Sequence, residues 1–182
     1  ASIVPKRLEL LRDLVPGLAT VGVLINPNNP LSIDERESTE AAARNLGQQV
    51  EVFTASTSGE VEAVFRPFAS RRPDGLIVTT DLFLFGHIKR LAELAIEHRL
   101  PAIAPLKEFA AAGGLISYGA SIPDAYRQAG VYCGRVLKGE NPVNLPILQP
   151  TKFDYVINLK TAKILDLSIS PLALARADEV IE

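Results

Sequence analysis

The chain has 182 residues, 47% of them hydrophobic and 22% charged, with a formal net charge of −2. That composition excludes a disordered polymer, and the want of a basic excess argues against a nucleic-acid surface. No apolar run approaches the roughly 18 residues that span a bilayer, and a lone cysteine, Cys133, leaves neither a disulfide framework nor a thiol-rich metal site. The length suits one domain, or one and a half, with a sizeable core. The chain opens Ala1-Ser2-Ile3 and contains no Met, so a mature form, a trimmed form or a fragment is expected.

Residues 5–15 read as a helix: Pro5 suits a first turn, Leu8, Leu11 and Val15 share a face, and Pro16-Gly17 ends it. Val21–Ile25 is an uninterrupted apolar strand, which requires cover on both faces. A helix over 32–46 stops at Gly47, and Val50–Thr54 is the second strand. Thr57-Ser-Gly-Glu60 is a capping box that opens a helix carrying Val61, Val64, Phe65 and Phe68 on one face. Gly75–Thr79 is a third strand, and a helix over 86–98 follows. Pro101–Ala104 is a short fourth strand, with a short helix at 106–112. Alternation of this kind predicts an α/β doubly wound parallel sheet up to about residue 115.

Beyond that the rhythm changes. Gly113–Gly119 reads as a short strand and 122–138 as one long helix. The proline-rich stretch 140–150 leaves no room for a helix, 153–159 alternates like a strand, and Thr161–Leu165 and Pro171–Val180 read as two terminal helices. A long helix between extended segments suggests a chain that leaves the α/β layer and returns.

Signatures of catalysis are missing: no G-x-G-x-x-G after a strand, no Walker A loop, no G-x-S-x-G elbow. His87 and His98 lie about 16 Å apart along one predicted helix, too far to share a metal, and read as solvent-facing. Cys133 reads as a small buried apolar residue, and Glu35, Glu37 and Glu40 as a solvated helix face. No catalytic group, metal or cofactor is therefore expected.

What remains is a set of strand ends. In an open parallel sheet ligands lie beyond the carboxyl ends of the strands. There the sequence places Asn26-Pro27-Asn28-Asn29, Thr79-Thr80-Asp81 followed by Leu82, Phe83 and Phe85, and Pro105-Leu106-Lys107. Amides, a hydroxyl, one carboxylate and an aromatic wall suit a small ligand with an amine and an apolar side chain. The competing reading gives Asp81 a helix N-cap and Asn26 and Asn28 Asx-turns.

The stretches PKRLELLRDLVPGLATVGVLINPNNP, VTTDLFLF, LPAIAPLKEFAAAGGLISYG, LQPTKFDYVINLKTAK and LALARADEVIE, in that order, resemble the substrate-binding proteins of bacterial ABC importers, specifically the tryptophan/tyrosine-type family with the type I periplasmic-binding-protein fold. The resemblance runs from about residue 4 to 182. It implies two Rossmann-like lobes clamping a ligand and a full length near 300 residues, of which this chain would be the C-terminal part. Residues 1–116 would then be the second lobe, 117–145 a crossover and helix belonging to the first, and 146–182 the return segment and terminal helices.

The resemblance also implies roles. Asp81 would pair with a ligand α-amino group and Thr80 would hydrogen-bond a polar group. Asn26, Pro27 and Asn28 would shape the cleft floor beside Pro105, with Ser117, Tyr118 and Gly119 near the hinge. Its implied partners are a small-molecule solute and an ABC permease, with no nucleic acid. The implied location is periplasmic or otherwise extracytoplasmic, a lipid anchor on the full-length protein being left open. An isolated lobe exposes its cleft surface, so a homodimer of the fragment is an expectation to set against a monomer. Two rival readings are the effector domain of a transcription regulator with the same fold, and an α/β enzyme or phospho-receiver working through Asp81. The latter lacks the extra acidic residues that a receiver needs after its first strand.

Overall fold

An apolar run with no polar alternation cannot leave a face to water, and β1 (Thr20–Ile25) accordingly has five of its six residues buried. In the computed structural model, which describes residues 3–182, β1 lies within a seven-stranded sheet. The other strands are β2 (Gln49–Thr54), β3 (Gly75–Val78), β4 (Ala102–Ala104), β5 (Ile116–Ala120), β6 (Phe153–Asn158) and β7 (Glu179–Ile181), in the order β2-β1-β3-β4-β5-β6-β7. All neighbours pair in parallel except β5 and β6, which run antiparallel. The fold is an α/β doubly wound, mostly parallel sheet.

Helices cover both faces. On one, α3 (Ser58–Phe65), α4 (Leu82–Gly86), α5 (Ile88–Glu97) and α6 (Lys107–Ala111) bury Phe65, Leu84, Leu91 and Phe109 against Leu24, Leu76 and Val78. On the other, α1 (Val4–Leu14), α2 (Pro30–Asn45), α8 (Leu159–Ile164) and α9 (Pro171–Arg176) pack Leu8, Leu11, Ala43, Ala162 and Ala173 on Val21, Ile77, Ile103 and Ile157. The capping box of α3 forms as its spacing requires: Glu60 N–H donates to Thr57 Oγ1 at 3.3 Å and Thr57 N–H to Glu60 Oε2 at 3.2 Å.

The remaining helix, α7 (Ile122–Leu137), has no buried residue. It leaves the sheet at the end of β5, and the chain returns into β6 with Ser121 N–H donating to Lys152 O at 3.0 Å. Tyr126, Val131 and Leu137 on α7, and Val143 and Ile147 after it, are exposed. No helix among the described residues is long and apolar enough to cross a membrane.

Several expectations are corrected. The helix expected over 86–98 is present as α5, but a separate short helix that was not expected, α4, precedes it, the two parted at His87, whose φ of −106° and ψ of 10° leave the helical region. The helix expected over Pro171–Val180 ends at Arg176, because Asp178 turns the chain into the sheet: its N–H donates to Tyr155 O at 2.8 Å and its Oδ2 accepts from Tyr155 N–H at 2.8 Å. Three residues then pair with β6 as β7. The stretch 140–150 does contain a helical turn, a 3-10 turn at Pro142–Asn144 capped by Asn141. The α2 helix begins at Pro30 rather than 32, since Asn29 is its N-cap.

Cys133 is exposed rather than buried, as no residue of α7 is buried. The histidines are half-buried rather than solvent-facing. His98 packs against Phe65 and Phe68, and His87 bonds Ser58 Oγ and Phe83 O at 2.9 Å each.

Candidate functional site

The strand order places a topological switch point between β1 and β3. The connection after β1 runs over one face through α2, and the connection into β3 runs over the other through α3. Loops diverge there and leave a crevice at the carboxyl edge, the usual ligand position in open α/β sheets. Asn26 follows β1 directly, and Thr80 and Asp81 follow β3.

The proline-bounded loop after β1 is held by its own amides. Asn28 N–H donates to Asn26 Oδ1 at 3.0 Å, an Asx-turn. Asn29, extended at φ −110° and ψ 112° as a residue before proline prefers, accepts from Leu31 N–H at 3.0 Å and so caps α2. Asp81 joins this loop to the next. Its Oδ1 accepts from Leu84 N–H at 2.9 Å, capping α4, while its Oδ2 accepts from Asn26 Nδ2 at 3.2 Å and Asn29 Nδ2 at 2.8 Å. The carboxylate is thus an N-cap and also the link between two strand ends. Asp81 is 5% exposed, and among the described residues its hydrogen-bond donors are all neutral.

Thr80 is fixed from a second direction. Its N–H donates to Glu35 Oε2 at 2.9 Å, and its Oγ1 accepts from Arg7 Nη2 at 3.3 Å. Arg7 Nη1 also donates to Glu35 Oε2 at 3.1 Å, and Arg7 Nε donates to Tyr118 O at 2.9 Å. Arg7 is 2% exposed. Burial pushes its guanidinium below its ordinary pKa, and the charge of Glu35 opposes that shift. Glu35 is therefore the half-buried partner of a buried arginine, not part of the solvated face expected for it.

Two cavities meet at Thr80 and Phe85. One, about 580 Å³, opens over the switch point and is lined by Asn26, Asn28, Asn29, Asp81, Phe83 and Phe85. The other, about 350 Å³, lies toward β5 and β6, with Arg7, Glu35 and Thr80 as polar lining and Phe85, Leu106 and Phe153 as apolar walls. Pro105 lines the second cavity. Its carbonyl oxygen would lie 2.0 Å from a Cβ placed on Gly119, so only glycine lets β5 run this close to the loop after β4.

Of the residues singled out from sequence, the structure brings together Asn26, Asn28, Thr80, Asp81 and Pro105. Pro27 is exposed on the loop and lines neither cavity. Ser117 is fully buried in β5, with no hydrogen-bond partner for its Oγ among the described residues, and lines neither cavity. The Tyr118 ring stacks on Phe153 at 5.8 Å, and its carbonyl, not its side chain, reaches the site through Arg7. Arg7 and Glu35 are the residues that sequence reading missed. A signal for Arg7 existed: it stands four before Leu11 and seven before Leu14, on the apolar stripe of its helix.

With this geometry in place, the chain can be compared with known proteins. A tyrosine-binding protein of Clostridioides difficile (strain R20291) is 26% identical over 179 residues, covering 97% of this chain and 52% of the relative. The crystal structure of an ABC domain in complex with L-Trp from Streptococcus pneumoniae has a TM-score of 0.88 at 25% identity, covering 98% of this chain and 60% of that one. A LacI family transcriptional regulator from Bifidobacterium animalis subsp. lactis has a TM-score of 0.62 at 14% identity, covering 85% and 59%, a likeness of fold alone. The chain spans about half the length of the curated relative it matches. Residues 1–181 match the family model of the ABC transporter substrate binding proteins, and the chain belongs to that family.

Proposed function

We infer that this chain is the C-terminal lobe of a two-lobed protein that captures a small amine-bearing solute, an aromatic or other amino acid, outside the cytoplasm and delivers it to an ABC permease. The observation that carries this reading is the environment of Asp81. A carboxylate 5% exposed at a switch point, met only by neutral donors among the described residues, lacks the cation that burial of a charge calls for. A solute ammonium group entering the cavity over Asn26 and Phe83 would supply it. The names of the two relatives, one tyrosine-binding and one holding L-Trp, point to the same class of solute.

On this reading residues 1–116 form the second lobe, 117–145 reach into the first, and 146–182 return. The support is α7, a long helix none of whose residues is buried. A solute touching both lobes stabilises the closed form, which the permease then recognises, so the protein's work is a population shift with no covalent step.

The test is isothermal calorimetry on the longest chain that the gene encodes, with L-tyrosine, L-tryptophan and L-leucine, repeated with Asp81→Asn. That substitution keeps an N-cap and removes the charge. Loss of a charge-assisted bond weakens the bound amino acid at least about tenfold. Unchanged affinity would sink the role given to Asp81.

A further inference from the structure

We propose that Arg7 is the carboxylate-reading residue of the cleft, so that the solute is selected for an anionic group as well as an amine. This rests on the reading of the cleft above and concerns the neighbouring cavity, the one of about 350 Å³ between Thr80 and Phe153.

A guanidinium carries five N–H donors in a fixed fork. Three of them are spent within the protein, on Tyr118 O, Glu35 Oε2 and Thr80 Oγ1. Nη1 and Nη2 each keep one N–H without a partner among the described residues, and Arg7 lines the cavity. The three acceptors come from β5, from α2 and from the end of β3, so the fork is held from three sides and loses little freedom when it binds. Glu35 neutralises the buried cation while the cavity is empty, yet spends only Oε2 on Arg7 and Thr80.

Thr80, which accepts from Arg7, is followed directly by Asp81. A cationic and an anionic group thus flank the point where the two cavities join. This is the arrangement that a zwitterionic head group fits, ammonium toward Asp81 and carboxylate toward Arg7. Phe85, Leu106 and Phe153 then present an apolar surface to the solute's side chain. A residue serving only to pin α1 to β5 would do equally well sealed off from any cavity.

The experiment uses calorimetry on the longest chain that the gene encodes, with three matched series. These are L-tyrosine, tyramine and 3-(4-hydroxyphenyl)propionate; L-tryptophan, tryptamine and indole-3-propionate; and L-leucine, isoamylamine and 4-methylpentanoate. If Arg7 reads the carboxylate, the amine of at least one series binds at least about tenfold more weakly than its amino acid, and Arg7→Lys removes that difference by weakening the amino acid alone. An amine binding as tightly as its amino acid in every series overturns the proposal and leaves the role of Asp81 standing. An acid binding as tightly as its amino acid, with the amine weak, supports Arg7 and overturns Asp81 as the amine site. Silence in all three series overturns both. Equal weakening of amino acid and amine by Arg7→Lys marks a purely structural role and overturns the proposal. Should Arg7→Lys fail to fold, the unmodified protein's own ranking of the three probes decides.

Discussion

Arg7 donates through Nε to the backbone carbonyl of Tyr118 at 2.9 Å, across 111 residues of sequence. A helix at one end of the described chain is thereby tied to the strand from which the α7 excursion departs, and the tie passes beside the cavity floor. The same guanidinium holds Glu35 and Thr80, so its removal strands several groups at once.

Arg7→Met is expected to cost about 3 kcal/mol, the scale for breaking a buried ion pair by deleting one partner. Adding Glu35→Met recovers only part of this, because Thr80 N–H and Tyr118 O remain unpaired. Urea unfolding of the single and double variants measures both numbers; a single variant as stable as the parent would show that the pair is not formed.

Gly119→Ala drives a methyl group to 2.0 Å from the Pro105 carbonyl oxygen. Backbone faces it there rather than a flexible side chain, so the strand must shift. The expected loss is about 3 kcal/mol, at the upper end for overpacking, with a fall in the thermal midpoint. Substitution to alanine at Gly59, where a Cβ meets nothing within 4 Å, serves as the neutral control.

Asp81→Ala should destabilise by about 2 kcal/mol, since it removes the α4 cap and leaves the Asn26 and Asn29 amide donors without their acceptor. Asp81→Asn keeps the cap and should cost less. Equal denaturation midpoints for the two variants would mean that the cap contributes nothing.

Burial pushes Tyr155 up to about 12 from its ordinary value of 10.0. The folded state holds this proton more tightly than the unfolded one, so the stabilisation is fully present below pH 10 and is lost as the pH rises through about 12. The shift alone would be worth about 3 kcal/mol, and solvent screening of a ring that is not fully enclosed brings this down to about 2 kcal/mol or less. Stability measured between pH 9 and 12 should fall less steeply for Tyr155→Phe than for the parent; parallel curves would remove Tyr155 as the cause.

Amide exchange separates the layers. Backbone hydrogens of α7, which buries no residue, should exchange faster than those of β1, β3 and β4, all buried on both faces. Comparable protection in α7 would indicate a partner covering it, such as a second copy of the chain.

How far the sequence could be read follows from which forces were local. The strands β1 and β3 announced themselves because burial on both faces forbids polar alternation. The α3 start was legible because a capping box closes within four residues. β7 was not, since three residues at the chain end acquire strand geometry only from pairing with β6. α4 was not either, because its five residues are too few to show a helical period. At the site, Asp81 was readable as a cap, but its bonds to Asn26 and Asn29 span 55 and 52 residues and belong to tertiary structure. Glu35 looked like a surface charge and Arg7 drew no reading, because neither type is expected in a core without its partner, and here the partner is 28 residues away.

The sheet's single antiparallel pair has a consequence for how this chain can be cut and rejoined. Ala120 faces Phe153 in register, and Ser121 meets Lys152 across one more hydrogen bond. The excursion between them leaves and re-enters at adjacent points, as a very long hairpin loop would. Replacing 122–151 with a tight Asn-Gly turn should therefore leave the seven-stranded layer intact. In topological terms the layer is a host and the excursion an insert at one doorway.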